Sequence, residues 1–125
     1  YARADVWPLN PQGELLCCLM IESPEGIGNL PKMLAEVPGI GVIFTGEGDL
    51  SQELGHPRQY DHPDVLKGVK EILDICKAHQ VPNGWFHTTL DNVEQVIQDG
   101  YRVLMAPSSR SYAVLHKGRT AAGRG

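Results

Sequence analysis

The sequence predicts an α/β fold built on a parallel sheet. Three observations carry this. Short apolar runs of strand length recur along the chain, each is followed by a segment with helical periodicity, and turn residues separate the two. The 125 residues fit one domain, with 42% hydrophobic and 21% charged residues.

Residues 1–14 hold Pro8, Pro11 and Gly13 and read as an irregular lead-in. "LLCCLMIE" (15–22) is a continuous apolar run, which suits a strand buried on both faces. In "SPEGIGNLPKMLAEV" (23–37), Ser23 is a good N-cap and Pro24 suits the first helical position. Gly26, Gly28 and Pro31 predict that this helix is broken. "PGIGVIFTG" (38–46) is a turn and a second strand, and residues 47–62 read as a long loop. "HPDVLKGVKEILDICKAHQ" (62–80) is the clearest helix, with Val65, Val69, Ile72, Leu73 and Cys76 on one stripe. "VPNGWFHT" (81–88) is a turn and third strand, and "LDNVEQVIQDG" (90–100) a helix stopped by Gly100. "YRVLMAPS" (101–108) is a fourth strand, and residues 109–125 a terminal helix and tail.

Four βα units in a row suit either an open, doubly wound sheet or half of a (β/α)8 barrel, since a whole barrel takes ~250 residues. Both place the site at the carboxyl ends of the strands.

Composition excludes several classes. A formal net charge of −4 argues against a nucleic-acid binder. No apolar run approaches the ~18–20 residues of a membrane span, and the first residues do not resemble a signal peptide, which leads to a cytoplasmic expectation. The three cysteines, Cys17, Cys18 and Cys76, lack zinc-site or disulfide spacing and read as small buried hydrophobes.

The strand ends yield Glu22, then Gly46, Glu47, Gly48 and Asp49, then His87, then Ser108, Ser109 and Arg110. Glu22 and Asp49 each follow an apolar run, and adjacent strands lie ~4.8 Å apart. Two carboxylates that close favour a cation between them, and a hard ion such as Mg²⁺ or Mn²⁺ suits oxygen ligands. An acidic residue after a strand often only caps the next helix, but Ser23 already serves as cap after Glu22, and Asp49 is followed by Leu-Ser rather than a clear helix. Gly46 and Gly48 allow a sharp turn and an anion-binding set of amides. A phosphoacceptor receiver domain is the rival at this length. It needs a basic residue after a late strand, where this chain has His87 and Ser108. His56 and His62 sit before prolines and read as shaping the loop or the helix start.

The stretch from "LMIESPEGIGNLPKMLAEVPGIGVIFTGEGDLSQELGHP" to "HPDVLKGVKEIL" resembles the second half of the metal-dependent pyruvate aldolases of the HpcH/HpaI type. The resemblance spans about 15–108: a strand ending in Glu22, then "VPG", a strand followed by "DLSQELGHP", and "HP" opening a helix. It implies the last four βα units of a (β/α)8 TIM-type barrel. It implies Glu22 and Asp49 as ligands of Mg²⁺ or Mn²⁺ (Co²⁺ or Zn²⁺ as substitutes). It implies that the amides of Gly48 and Asp49 hold the carboxylate of a pyruvate-like 2-oxo acid, in an enzyme that cleaves 4-hydroxy-2-oxo acids to pyruvate and an aldehyde. The family's base and its substrate-binding arginine come from the first half of the barrel, and no residue here matches their motifs. His87 and Arg110 remain candidates for substrate contact. Glu47 stands where the family has proline and is expected to point to solvent. The expected partner is the other half of the barrel or a second copy. The alternatives are a non-catalytic metal- or ligand-binding domain, and citrate-lyase-like or malyl-CoA-lyase-like activity.

Overall fold

The computed structural model of the chain describes residues 5–106 and 112–124. Five strands, β1 (Val6–Trp7), β2 (Leu15–Ile21), β3 (Ile40–Thr45), β4 (Asn83–Trp85) and β5 (Val103–Leu104), form one parallel sheet in sequential order. Helix α1 (Pro24–Glu36) follows β2, and α2 (Glu47–Glu53) and α3 (Pro63–Ala78) follow β3. Helix α4 (Val93–Asp99) follows β4 and α5 (Ala113–Ala121) follows β5.

Sequential order decides between the two expected architectures. Parallel crossovers are right-handed, so strands laid down in one direction send every helix to the same face. A doubly wound sheet would reverse its order and cover both faces. Here Ile27 and Leu30 of α1, Leu50 of α2 and Val65, Val69, Ile72 and Cys76 of α3 join Ile21, Ile40 and Ile43 of the sheet in one core cluster. Leu73, Val96 and Tyr101 form a second cluster against Trp85 and Leu104. The fold is therefore half of a (β/α)8-type barrel. Fully buried side chains such as Leu30, Ile43, Leu50 and Ile72 each contribute ~1.5–3 kcal/mol.

The opposite face carries no such layer. On β2, Ile21 is buried and Leu19 packs against the core, but Leu16 and Met20 are half exposed and Cys18 is exposed. The expected burial of 15–22 on both faces is thus corrected. The chain's own helices cover one face, and the apolar residues on the other line what is the interior of a closed barrel. The expectation of three buried cysteines falls for the same reason. Cys76 is buried in the core, where Asn83 Nδ2 donates to its sulfur at 3.3 Å; Cys17 is intermediate and Cys18 exposed.

Three local expectations are also corrected. Residues 1–14 include β1, which pairs Val6 with Leu15 and Trp7 with Leu16. Two residues offer no periodicity to read. Helix α1 runs unbroken through Pro31. Pro31 lies on its exposed side, while Ile27 and Leu30 hold the other side to the core, and Ser23 Oγ caps Gly26 N at 3.0 Å. Residues 47–62 begin with α2 rather than a loop. Ser51 Oγ donates to the Gly48 carbonyl at 2.6 Å and accepts from Arg58 N at 3.1 Å, tying the following loop back to the helix.

Helices α3 and α4 meet expectation closely. His62 and Pro63 start α3, and Gly100 ends α4 with φ 105, a conformation glycine adopts without strain. Among the described residues, no helix is long and apolar enough to cross a membrane.

Burial also pushes the Cys76 thiol upward, which keeps it in its unreactive protonated form. A thiol reagent added to the folded chain is therefore expected to label Cys18 first and Cys76 only after unfolding. Peptide mass spectrometry of the labelled protein checks the order.

Candidate functional site

The parallel sheet brings the ends of β2, β3 and β4 to one edge. There the chain supplies Glu22, the 46–49 turn and His87. Gly46 N donates to the Ile21 carbonyl at 2.8 Å, so β2 and β3 stay joined up to the first carboxylate. Glu22 leans across the end of β3. A Cβ on Gly46 would stand 2.7 Å from Glu22 Cβ, 2.8 Å from Glu22 Oε2 and 3.0 Å from Met20 Cγ. Gly46 thus matters because it leaves room for Glu22; its φ of −89 is ordinary. Glu22 follows Met20 by two residues and the same Gly46 position meets both, which puts Glu22 on the uncovered face with Met20. Its carboxylate has no hydrogen bond or ion pair among the described residues.

Asp49 lies in the first turn of α2, exposed, and Gln52 Nε2 donates to its Oδ1 at 3.1 Å. It stands about one turn beyond Gly46. Gly48 has open space around it. The first amides of α2 receive no side-chain cap from Gly46. Carboxylates such as these, one at the end of β2 and one in the first turn of α2, are oxygen donors of the kind that hard divalent cations prefer.

Glu47 departs from expectation. Its side chain is 8% exposed rather than solvated, and its Oε1 lies 3.0 Å from His87 Nε2. Burial raises the Glu47 pKa, and the His87 imidazole partly opposes the rise. His87 is held in turn. Asn92 Nδ2 donates to its carbonyl at 2.8 Å, and its ring lies 6.2 Å from both Tyr60 and Trp85. Trp85 and Tyr101 belong to the helix-side core, with ring centroids 5.1 Å apart. The Glu47–His87 pair therefore caps the helix side of the sheet, whereas Glu22 faces the other side. Arg110, with Ser108 and Ser109, lies outside the described residues.

Sequence reasoning missed one constellation. His56 and His62 converge with Asp64, and their ligand atoms all lie within 4.8 Å of one another. His62 also caps α3, accepting from Asp64 N at 3.3 Å, which agrees with its expected part in starting that helix. The spacing His-x5-His-x-Asp across a loop and a helix start was the available signal.

A one-faced parallel sheet in sequential order is a portion of a (β/α)8-type barrel. The chain belongs to the HpcH/HpaI aldolase/citrate lyase family, whose family model matches residues 10–110. It is 32% identical over 113 residues to the 2-dehydro-3,6-dideoxy-6-sulfogluconate aldolase of Pseudomonas putida, covering 84% of this chain and 44% of that protein. It is 38% identical over 66 residues to the 5-keto-4-deoxy-D-glucarate aldolase of Shigella boydii, covering 53% of this chain and 25% of that one. The crystal structure of an HpcH/HpaI aldolase/citrate lyase family protein from Burkholderia cenocepacia J2315 superposes with a TM-score of 0.69 at 28% identity, over 93% of this chain and 44% of that chain. The chain thus spans less than half the length of these relatives.

Two substitutions test the geometry. His87→Ala leaves the buried Glu47 carboxylate without its partner and is expected to cost about 1 kcal/mol, the low end for an orphaned buried group because His87 is itself 61% exposed. Adding Glu47→Gln is expected to restore part of the loss, read from urea midpoints of the single and double variants. Gly46→Ala is expected to destabilise by about 1–3 kcal/mol by driving Glu22 away from the end of β3. Thermal melts of this variant beside Gly48→Ala, where space is open, give the comparison.

Proposed function

We propose that this chain supplies the metal-binding and 2-oxo-acid-binding portion of a carbon–carbon lyase that cleaves or forms 4-hydroxy-2-oxo acids. The observation that supports the reading is that Glu22, with no partner among the described residues, rests over Gly46 at the end of one strand, while Asp49 follows the next strand in the first turn of α2. Membership of an aldolase and lyase family supports it.

In this reading Glu22 and Asp49 hold a divalent cation, Mg²⁺ or Mn²⁺, with Co²⁺ or Zn²⁺ as substitutes. An acidic, oxygen-only donor pair fits such a hard ion. The cation, when bound, supplies Lewis-acid polarisation of the 2-oxo group. The Gly48 and Asp49 amides, at the open start of α2, donate to the carboxylate of a pyruvate-like acid. Gly48 carries no side chain to obstruct the approach. Asp49 therefore acts twice, through its carboxylate on the metal side and its amide on the substrate side. The base that moves the proton and the arginine that binds substrate are assigned to the portion of the barrel that the relatives have beyond the matched half. The uncovered face with Leu16, Cys18 and Met20 is the surface that such a portion, or a second copy, would cover.

Metal linkage tests the assignment. Mn²⁺ at one hundred times its Kd is expected to stabilise the chain by about 2.7 kcal/mol. The effect should vanish in Asp49→Ala and persist in His56→Gln. An Asp49→Ala protein that shifts as much as the parent chain refutes the Glu22–Asp49 site.

A further inference from the structure

We propose that Glu47 and His87 are positioning residues, on the reading of Asp49 as a metal ligand: their pair ties the first turn of α2 to the end of β4 and so sets where the Asp49 carboxylate stands. Neither side chain needs to touch the cation or the substrate for this. The tie acts through the backbone of the turn.

The first turn of α2 lacks the usual means of holding itself. Gly46 is its N-cap and offers no side chain, whereas Ser23 Oγ holds the start of α1 through Gly26 N at 3.0 Å. Gly48, inside the turn, has no side chain to pack and open space around it. Two glycines give the backbone of 46–49 unusual freedom. On the β2 side, Gly46 N limits that freedom by donating to the Ile21 carbonyl at 2.8 Å. On the β4 side, Glu47 Oε1 meets His87 Nε2 at 3.0 Å. Asp49 follows Glu47 by two residues in the same turn.

The tie is anchored at both ends. The ladder pairs Phe44 with Gly84, so Glu47 and His87 each follow a paired residue by the same three steps (44 to 47 and 84 to 87) and arrive level. Glu47 is buried, where a charged hydrogen bond is stronger than at the surface. His87 is braced in turn. Asn92 Nδ2 donates to its carbonyl at 2.8 Å, Thr89 N donates to Asn92 Oδ1 at 2.7 Å, and Asn92 N donates to Thr89 Oγ1 at 3.3 Å. Trp85, packed in the core, meets the His87 ring edge-on at 6.2 Å. A continuous path of contacts thus runs from the start of α4 through His87 and Glu47 into the turn that carries Asp49. Groups that hold a metal ligand in its orientation change metal affinity by roughly 10–100-fold when lost. This pair acts from one step further out.

The test sets Mn²⁺ affinity beside stability. Mn²⁺ is titrated into the metal-stripped chain, with the free ion read by electron paramagnetic resonance. The proteins are the parent, His87→Ala, His87→Gln, Asp49→Ala, and Ile72→Val, a core variant in α3. His87→Ala is expected to weaken Mn²⁺ binding by about three- to tenfold. His87→Gln keeps a donor for Glu47 and is expected to recover most of the affinity. Ile72→Val is expected to leave the affinity unchanged although its urea midpoint falls. The sign separates position from charge. If the pair acted only electrostatically, losing the imidazole would leave Glu47 uncompensated near the cation and tighten Mn²⁺. Unchanged or tighter binding in His87→Ala overturns the proposal, as does an equal loss in Ile72→Val. Equal binding by Asp49→Ala and the parent refutes the metal reading instead. The tie is then read without metal by hydrogen exchange. The Leu50 amide, whose bond to the Gly46 carbonyl at 3.0 Å closes the turn, is expected to exchange about threefold faster in His87→Ala, beyond any change at the Ile72 amide. Absence of that excess overturns the proposal whatever the metal does.

Discussion

Sequential parallel pairing governs this molecule. Each crossover turns the same way, so α1 to α4 collect on one side of the sheet and build a core there from Ile27, Leu30, Leu50, Val69, Ile72 and Val96. The same handedness that fills one side leaves the other with Leu16, Cys18 and Met20 uncovered. It also directs every strand toward one edge, which is why residues far apart in sequence, Glu22, Asp49 and His87, arrive at a common rim. The half-open core and the convergent site are two results of one topological rule.

That rim is divided by the sheet itself. Glu22 lies on the uncovered side with Met20 and has no partner among the described residues. Glu47 lies on the helix side, buried and matched to His87. Two glutamates near the ends of adjacent strands thus meet opposite surroundings. One lies on the open side of the sheet. The other is stabilised in place by an imidazole and by the aromatic rings of Tyr60 and Trp85 that flank it.

Much of this was legible in the sequence because it rests on local signals. The stripe of Val65, Val69, Ile72 and Cys76, the Ser23 cap and the Gly100 stop all act within one or two turns. What escaped depends on tertiary contact. Helix α2 was hidden by Gly46 and Gly48, whose poor propensity is overcome by burial of Leu50. Strand β1 exists only because β2 offers it an edge. The partnership of Glu47 with His87 needs β3 and β4 to be neighbours, and the meeting of His56, His62 and Asp64 needs the loop to fold back on Ser51.

Phe44 shows how narrow the open face is at its centre. Its ring lies over Gly84, with a ring carbon 2.3 Å from where a Cβ would be, and stacks on Phe86 at 4.5 Å. The aromatic pair occupies space that a pair of aliphatic residues on β3 and β4 would otherwise share. Residues 44 and 84 are therefore a coupled unit of inheritance: a side chain at 84 becomes tolerable only after the ring at 44 has shrunk. Variation across descendants of this chain should pass through a smaller residue at 44 before it reaches a larger one at 84, a one-way order imposed by packing.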